Sequence, residues 1–373
     1  MYENNTNKPV TIKSIAKELG ISFSTVSKAL NHNPVIKEET RETVLQKAKE
    51  MGYIPNPLAQ GLKNNSTKTI AVIFNDIENP VLTYIFKNIS IEMEKHGYTT
   101  MIFDSQFSER QERANILTAL SRQPDFVILE PAITNSQNIE LLSGIHKKLI
   151  LQGARYDSVN CHHVHIDYAQ GGYFSACEML ENGHRNCLVI TEPLSFPISE
   201  QFVIGIEKAY QEYGLIFDRN MIKATHSTIP NGCKVIQELW DYEAGNFSIS
   251  FTGVLTFDDG MAYGVYKAAS QLGFRVPEDI SVIGFDDNPF SAFSMPPLTT
   301  IHLPKERMAE SCISILNSVL LGNQSDMCIY SLEPYLVKRE SVYNLAYRGG
   351  VSDQRAYPKR DAIALGATTE EEI

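Results

Sequence analysis

Between Thr11 and Leu30 the chain encodes two short helices with only Gly20-Ile21-Ser22 between them. So tight a connection makes the helices cross and share one small core. Thr11 is placed to cap the first, Ile12 to Leu19, whose apolar residues Ile12, Ile15, Ala16 and Leu19 recur at helical spacing. Ser22 caps the second, Phe23 to Leu30, which turns Val26, Ala29 and Leu30 inward and leaves Phe23, Ser24, Thr25, Ser27 and Lys28 largely outward. A third helix, Glu38 to Met51, begins acidic and ends with Lys47 and Lys49, the order that the helix dipole favours.

In a helix-turn-helix the first turns of the second helix meet base edges in the major groove. On that geometry Phe23, Ser24 and Lys28 are the readers: Lys28 donates to guanine, Ser24 reaches several bases and Phe23 packs on a thymine methyl. Thr25 and Ser27 hold phosphates and set the register. The same spacing also suits a plain three-helix core with solvated polar residues.

Charge separates these readings. The formal net charge of -11 argues against a nucleic-acid binder, yet residues 8 to 63 carry nine basic and five acidic side chains, net +4, which leaves -15 on the rest. A basic head on an acidic body is the division expected of a DNA-binding module joined to something else. With 373 residues, 43% hydrophobic and 21% charged, the chain has room for several domains and the balance of a soluble globular protein. No apolar stretch approaches the roughly 18 residues that span a bilayer. A polar start, Met1 to Lys8, leads us to expect a cytoplasmic protein with no membrane partner. Cys161, Cys177, Cys187, Cys233, Cys312 and Cys328 are scattered, with no C-x-x-C pair, and are expected as free thiols.

After Tyr53, Asn56 and Pro57 form a strong helix start, but the helix they begin is interrupted by Gly61 and runs into Lys63-Asn64-Asn65-Ser66. Alone it is too short to offset its nucleation cost, so we expect it to fold on a partner.

Val10-Thr11-Ile12, Ala16, Gly20-Ile21-Ser22, Thr25-Val26-Ser27-Lys28, Asn31, Glu39-Thr40-Arg41, Gly52-Tyr53, Pro55-Asn56, Ala59 and Leu62 resemble the DNA-binding head and hinge of the LacI/GalR family of bacterial regulators. The resemblance implies a DNA-contacting set of Thr11, Ser22, Phe23, Ser24, Thr25, Ser27, Lys28, Asn31, Tyr53, Asn56, Ala59 and Leu62. It implies that two subunits place their hinge helices in the minor groove together, with Leu62 as the wedge that unstacks the central step and bends the duplex.

From Thr69 onward short β-rich runs alternate with amphipathic helical stretches. The runs are Thr69 to Phe74, Thr99 to Asp104, Phe126 to Leu129, Lys148 to Leu151, Leu188 to Thr191, Gly253 to Phe257 and Ser281 to Phe285; the helical stretches include Leu82 to His96, Glu109 to Arg122, Gly171 to Asn182 and Gly260 to Leu272. This alternation predicts an α/β body of parallel sheets with helices on both faces, in two similar lobes because the body is too long for one sheet. Asn79-Pro80, Ile166-Asp167, Gly183-His184, Val276 to Asp287 and Pro296 to Ile301 extend the family resemblance and imply a two-lobed core like that of periplasmic sugar-binding proteins, joined by three crossover strands. The expected division is a disordered tail 1–9, a head 10–55, a hinge 56–66, a core 67–343 and a disordered tail 344–373. Within the core, a first lobe takes about 67–165 and 297–326 and a second about 166–296 and 327–343.

Ligands of open α/β lobes sit beyond the carboxyl ends of the strands, which places Asp258 and Asp286 in a cleft, although aspartates there also cap the helices that follow. By spacing, Gln106, Glu130 and Gln152 fall at strand ends facing the same cleft. Measured against the resemblance, Phe202 stands where an arginine is usual, Val81-Leu82 replaces an aromatic pair and Asp258 replaces an asparagine. The candidate effector site is therefore Leu82, Gln106, Glu130, Gln152, Phe202, Asp258 and Asp286, rich in acceptors, which suits a neutral sugar, a polyol or an amine-bearing compound and repels anions. A docked phosphoprotein corepressor, as in one branch of the family, is the alternative control. Cys161-His162-His163-Val164-His165 offers metal-capable side chains, but on a strand Cys161, His163 and His165 succeed one another about 7 Å apart, and an ordinary strand is expected in place of a metal site. No Gly-x-Gly-x-x-Gly, P-loop or Gly-x-Ser-x-Gly elbow is present, so neither a cofactor nor catalysis is expected. The chain reads as a homodimeric regulator of double-stranded DNA operators, most naturally a repressor.

Two substitutions test the head. Lys28→Ala should weaken binding to a preferred operator by about 1–3 kcal/mol more than binding to random DNA; equal loss on both makes Lys28 a phosphate contact. Leu62→Ala should reduce DNA bending, read by gel mobility of permuted fragments, and unchanged bending removes the wedge.

Overall fold

The computed structural model describes residues 10–54, 66–132, 137–156, 159–322 and 326–348. The expected hinge contacts Asn56, Ala59 and Leu62, and the tails 1–9 and 349–373, lie outside the described residues. The chain divides into two compact units, Met1–Lys68 and Thr69–Ile373.

In the first unit α1 (Ile12–Leu19), α2 (Phe23–Leu30) and α3 (Glu38–Glu50) pack around Ile15, Val26, Ala29 and Val44, all fully buried. Thr11 accepts from Ser14 N and Ser14 returns the bond to Thr11 N, a reciprocal cap. Gly20 ends α1 with φ 64°, a left-handed conformation that costs a glycine little.

The second unit runs β1 (Thr69–Phe74), α4 (Pro80–Glu94), β2 (Thr99–Asp104), α5 (Glu109–Ser121), β3 (Phe126–Leu129), α6 (Gln137–Glu140), β4 (Leu149–Gly153) and β5 (His162–Ile166). It continues through α7 (Tyr168–Glu181), β6 (Cys187–Thr191), α8 (Pro197–Glu212), β7 (Ile222–Ala224), α9 (Ile229–Leu239), the small pair β8 (Trp240–Asp241) and β9 (Asn246–Phe247), β10 (Gly253–Thr256), α10 (Asp259–Leu272) and β11 (Ser281–Asp286). β12 (Thr299–His302), α11 (Lys305–Leu320), β13 (Ile329–Leu332) and β14 (Tyr335–Val337) complete it.

One sheet has the order β13-β5-β4-β3-β1-β2, all parallel; the other has β14-β12-β11-β10-β6-β7, parallel except for β14. Strands such as β1, with Ile70 to Phe74 fully buried, read as continuous apolar runs because helices cover both faces of a parallel sheet. The chain passes between lobes at Asp167, at Leu303-Pro304 and at Glu333-Pro334.

These crossings correct the expected lobe boundaries. β12 lies in the second sheet, not the first lobe, and β13 pairs with β5 in the first sheet, not the second. Pairing partners decide where such short strands belong, and each crossing is too brief to leave a turn signal of its own. The second tail also begins later than position 344: Leu345–Arg348 form a 3₁₀ turn, tied by Leu345 N to the carbonyl of Asn182. The six cysteines are free thiols.

Helices α7 and α8 touch backbone to backbone. A Cβ on Gly205 would lie 1.8 Å from the carbonyl oxygen of Ala169, and one on Gly172 would lie 2.0 Å from that of Phe202. Gly205→Ala should therefore lower unfolding free energy by about 1–3 kcal/mol or more in urea titration, despite the better helix propensity of alanine. Gly144→Ala, where a Cβ meets nothing within 4 Å, should be neutral; equal effects at the two positions would contradict the close crossing.

Candidate functional site

The first unit presents α2 as its exposed polar edge. Ser22 Oγ accepts from Thr25 N at 3.1 Å and bonds the Thr25 hydroxyl at 2.8 Å, so both side chains are engaged in starting the helix. Phe23, Ser24 and Lys28 are exposed, Phe23 to 52%, and Thr25 and Ser27 are half-buried on the same helix. Asn31 donates to the Ser27 carbonyl at 2.6 Å and closes the helix, Thr11 is exposed at its cap position, and Tyr53 packs against the head's core.

In the second unit both sheets direct the carboxyl ends of their parallel strands into one cleft, the place where such sheets bind ligands. The cleft encloses about 660 Å³. Asn75 follows β1, Glu130 follows β3 and Gln152 lies near the end of β4; from the other lobe come Glu192 after β6, Asp258 after β10 and Asp286 at the end of β11. Among the described residues, a hydrogen bond and a ring stack cross it. Asn79 Nδ2 donates to Asp286 Oδ2 at 3.1 Å, and the rings of Phe107 and His226 stack with centroids 6.1 Å apart.

Glu130 is buried against Gln152 Nε2 at 2.9 Å and Asn75 Nδ2 at 3.5 Å, and burial outweighs these donors, raising its carboxyl to about 7. Burial likewise raises Asp258 and Asp286. Asp258 serves both of the roles left open by its sequence: its Oδ1 accepts from Met261 N at 2.5 Å as the cap of α10, and it lines the cleft. Asp259 is committed elsewhere, accepting from the Ser291 and Thr300 hydroxyls and Asn288 N.

Asp286 and Asp287 have φ of 109° and 53°, conformations that cost a non-glycine residue of order 1–3 kcal/mol each and persist only where neighbours enforce them. The enforcement is visible at Asp287, which is held by Arg339 Nη2 at 2.6 Å and His302 Nδ1 at 2.9 Å. Burial opposes its charge, but these two bonds prevail and bring the carboxyl down to about 2. His302 Nε2 also lies 3.5 Å from Glu306 at the start of α11, so the network spans a crossing between the lobes.

Of the residues read from sequence, Leu82, Glu130, Gln152, Asp258 and Asp286 line the cleft together, and Gln106 and Phe202 do not. Gln106 and Phe107 are both left-handed, φ 49° and 51°, and that turn leaves Gln106 exposed while Phe107 lines the cleft. Phe202 is fully buried, edge-on to Phe257 and Phe285 at 5.6 and 5.5 Å, and belongs to the core behind the cleft wall. Sequence reasoning did not find Asn75, Asn79, Tyr156, Tyr168 or Glu192; Glu192 carries the same strand-end signal as Glu130, while the tyrosines carry none. His162, His163 and His165 are buried on β5, with His162 Nδ1 accepting from Cys328 N, and no group fit to hold a metal ion occurs among the described residues.

Comparisons with known proteins agree with both units. A family model described as bacterial regulatory proteins, lacI family, matches residues 11–56, and one described as a periplasmic binding protein-like domain matches residues 176–342. The chain is 28% identical over 335 residues to the HTH-type transcriptional repressor PurR of Aliivibrio fischeri strain MJ11, covering 90% of this chain and 98% of that protein. It is 28% identical to the ribose operon repressor of Haemophilus influenzae, over 90% of this chain and 99% of that one. Among solved structures, the lac repressor dimer bound to operator and an anti-inducer superposes with a TM-score of 0.75 at 22% identity, covering 90% of this chain and 100% of that one. With a helix-turn-helix head, a two-lobed cleft and full-length relatives that are repressors and not enzymes, the chain belongs to the LacI/GalR family of bacterial transcriptional regulators.

Proposed function

We propose that this regulator is a repressor that binds a near-palindromic operator as a homodimer and is switched by a small molecule in the interlobe cleft, with no catalytic step. The observation that carries the reading is α2, which buries Val26 and Ala29 while leaving Phe23, Ser24 and Lys28 exposed in the first two turns. A phenyl ring and an ammonium group side by side on an exposed helix start match a thymine methyl and a guanine edge. A working place beside chromosomal DNA puts the protein in the cytoplasm.

A second copy of this chain is the partner that fits the loop after β11. Phe290, Phe293 and Met295 are 67%, 83% and 93% exposed, a run of large apolar side chains held out by a loop that Asp259 anchors from within. Such a patch is costly in water and is the kind that a self-complementary two-fold contact covers. Two heads joined this way read two half-sites about one helical turn apart.

The cleft supports a ligand that donates hydrogen bonds: a neutral sugar, a polyol or an amine-bearing compound. Carboxylates from both lobes line it, and no lysine or arginine does among the described residues, so an anionic ligand would meet like charge; His226, stacked on Phe107, sits beside Glu192 at its edge.

Selection of bound fragments from a random DNA pool by the full chain tests the reading. It should enrich inverted repeats with half-site centres about ten base pairs apart or a multiple of that spacing. Sedimentation should give a dimer that Phe293→Asp and Met295→Asp dissociate. Enrichment of single, asymmetric sites by a monomer would contradict the proposal.

A further inference from the structure

The interlobe cavity holds an imbalance of charge. Asp76, Glu130, Glu192, Asp258 and Asp286 line it from both lobes, and among the described residues no cationic side chain does. Glu130 and Asp286 are 8% and 9% exposed, and the side chains that donate to them are uncharged amides: Gln152 and Asn75 to Glu130, Asn79 to Asp286. Glu192 differs, since Ser227 N donates to it at 2.5 Å and His226 Nδ1 lies 3.3 Å away. Asp76 lies within the field of Asp104, Glu78 and Asp258, and Asp286 within that of Asp258, Asp259 and Glu130, so these acids add negative charge to one another's surroundings.

A buried carboxylate without a counter-charge either takes up a proton or acquires a cation from outside. Burial favours the first course, raising Glu130 to about 7 and Asp286 well above the usual carboxylate range. The cavity is furnished for the second. Tyr156 and Tyr168 are 7% and 6% exposed and line it, and neither hydroxyl has a hydrogen-bond partner among the described residues. Tyr168 lies within the field of both Glu130 and Asp286, and its ring stacks on Phe257 with centroids 5.8 Å apart. Phe107 and Phe196 add aromatic wall. Carboxylates and unpaired hydroxyls beside aromatic faces match an ammonium group on an apolar body, through charge-assisted hydrogen bonds and cation–π attraction. A neutral polyol would donate hydrogen bonds to these carboxyls but bring no charge to them, so the cation is the tighter match among the ligands that the cleft supports.

Resting on the reading of the cleft as the effector site, we propose that the effector is an organic cation, its ammonium group seated by Glu130 and Asp286 and its body against Tyr168, Phe257 and Phe196. Such a ligand holds the carboxyls ionised in the complex. Its binding therefore releases protons and strengthens as pH rises toward about 7 through Glu130, and the raised carboxyl of Asp286 adds to the release in the same direction.

Calorimetry on the full chain with three matched pairs tests this: choline and dimethylbutanol, putrescine and butanediol, phenylethylamine and phenylethanol. In at least one pair the amine should bind about tenfold or more tightly than its uncharged partner. Titrations in buffers of different ionisation enthalpy should show proton release, and Glu130→Gln with Asp286→Asn should abolish the preference for charge. Proton release, read on the unaltered protein, decides the matter if that variant fails to fold. Tighter binding by the uncharged members, or no binding by any amine in the millimolar range, overturns the cation; if the uncharged compounds also change operator affinity, the cleft keeps its role as effector site. Binding that the double variant leaves unchanged overturns both.

Discussion

Parallel strands impose the constraint from which the rest of the core follows. In a parallel sheet every strand ends on the same side, so residues just past those ends collect along one rim. Here two such sheets are joined by three short crossings that bring the rims face to face. Glu130 and Gln152 from one lobe and Glu192, Asp258 and Asp286 from the other meet for that reason alone, although they are scattered along the sequence. The acidity of the site follows from the side chains at the strand ends, and its depth from the aromatic residues behind them.

The same arrangement supplies a switch. Asn79 and Asp286 bond across the cleft, and Asp286 is offered to that bond by a backbone conformation that Asp287, tied to Arg339 and His302, keeps in place. His302 sits at a crossing between the lobes and reaches toward Glu306, so strain at the cleft rim and geometry at that crossing share one network. A ligand that changes the pairing of Asp286 has differential contact with two arrangements of the lobes, which is what a shift in population requires. The amount of shift is bounded by that difference in affinity.

Much of this was legible before any coordinates. Caps at Thr11 and Ser22 located α1 and α2 to the residue, because a side chain that bonds a free N–H leaves a local signature. Continuous apolar runs located β1 and β3, since burial on both faces favours apolar residues throughout. What escaped was decided by partners distant in sequence. β12, β13 and β14 are three or four residues each, and only their neighbours in the sheet assign them to a lobe. Gln106 and Phe107 exchanged roles because two successive left-handed residues reverse the direction that strand alternation predicts. Phe202, expected in the cleft, is core because its helix crosses α7 through glycines that bring the backbones into contact.

Coupling between cleft and head is the central claim, and operator affinity measured with and without a ligand that raises the melting temperature of the full chain tests it most directly. At fixed salt, a saturating ligand should change the dissociation constant for the selected operator by about fivefold or more, in either direction, while affinity for random DNA stays constant. An operator affinity unmoved by a ligand that demonstrably fills the cleft would contradict the account.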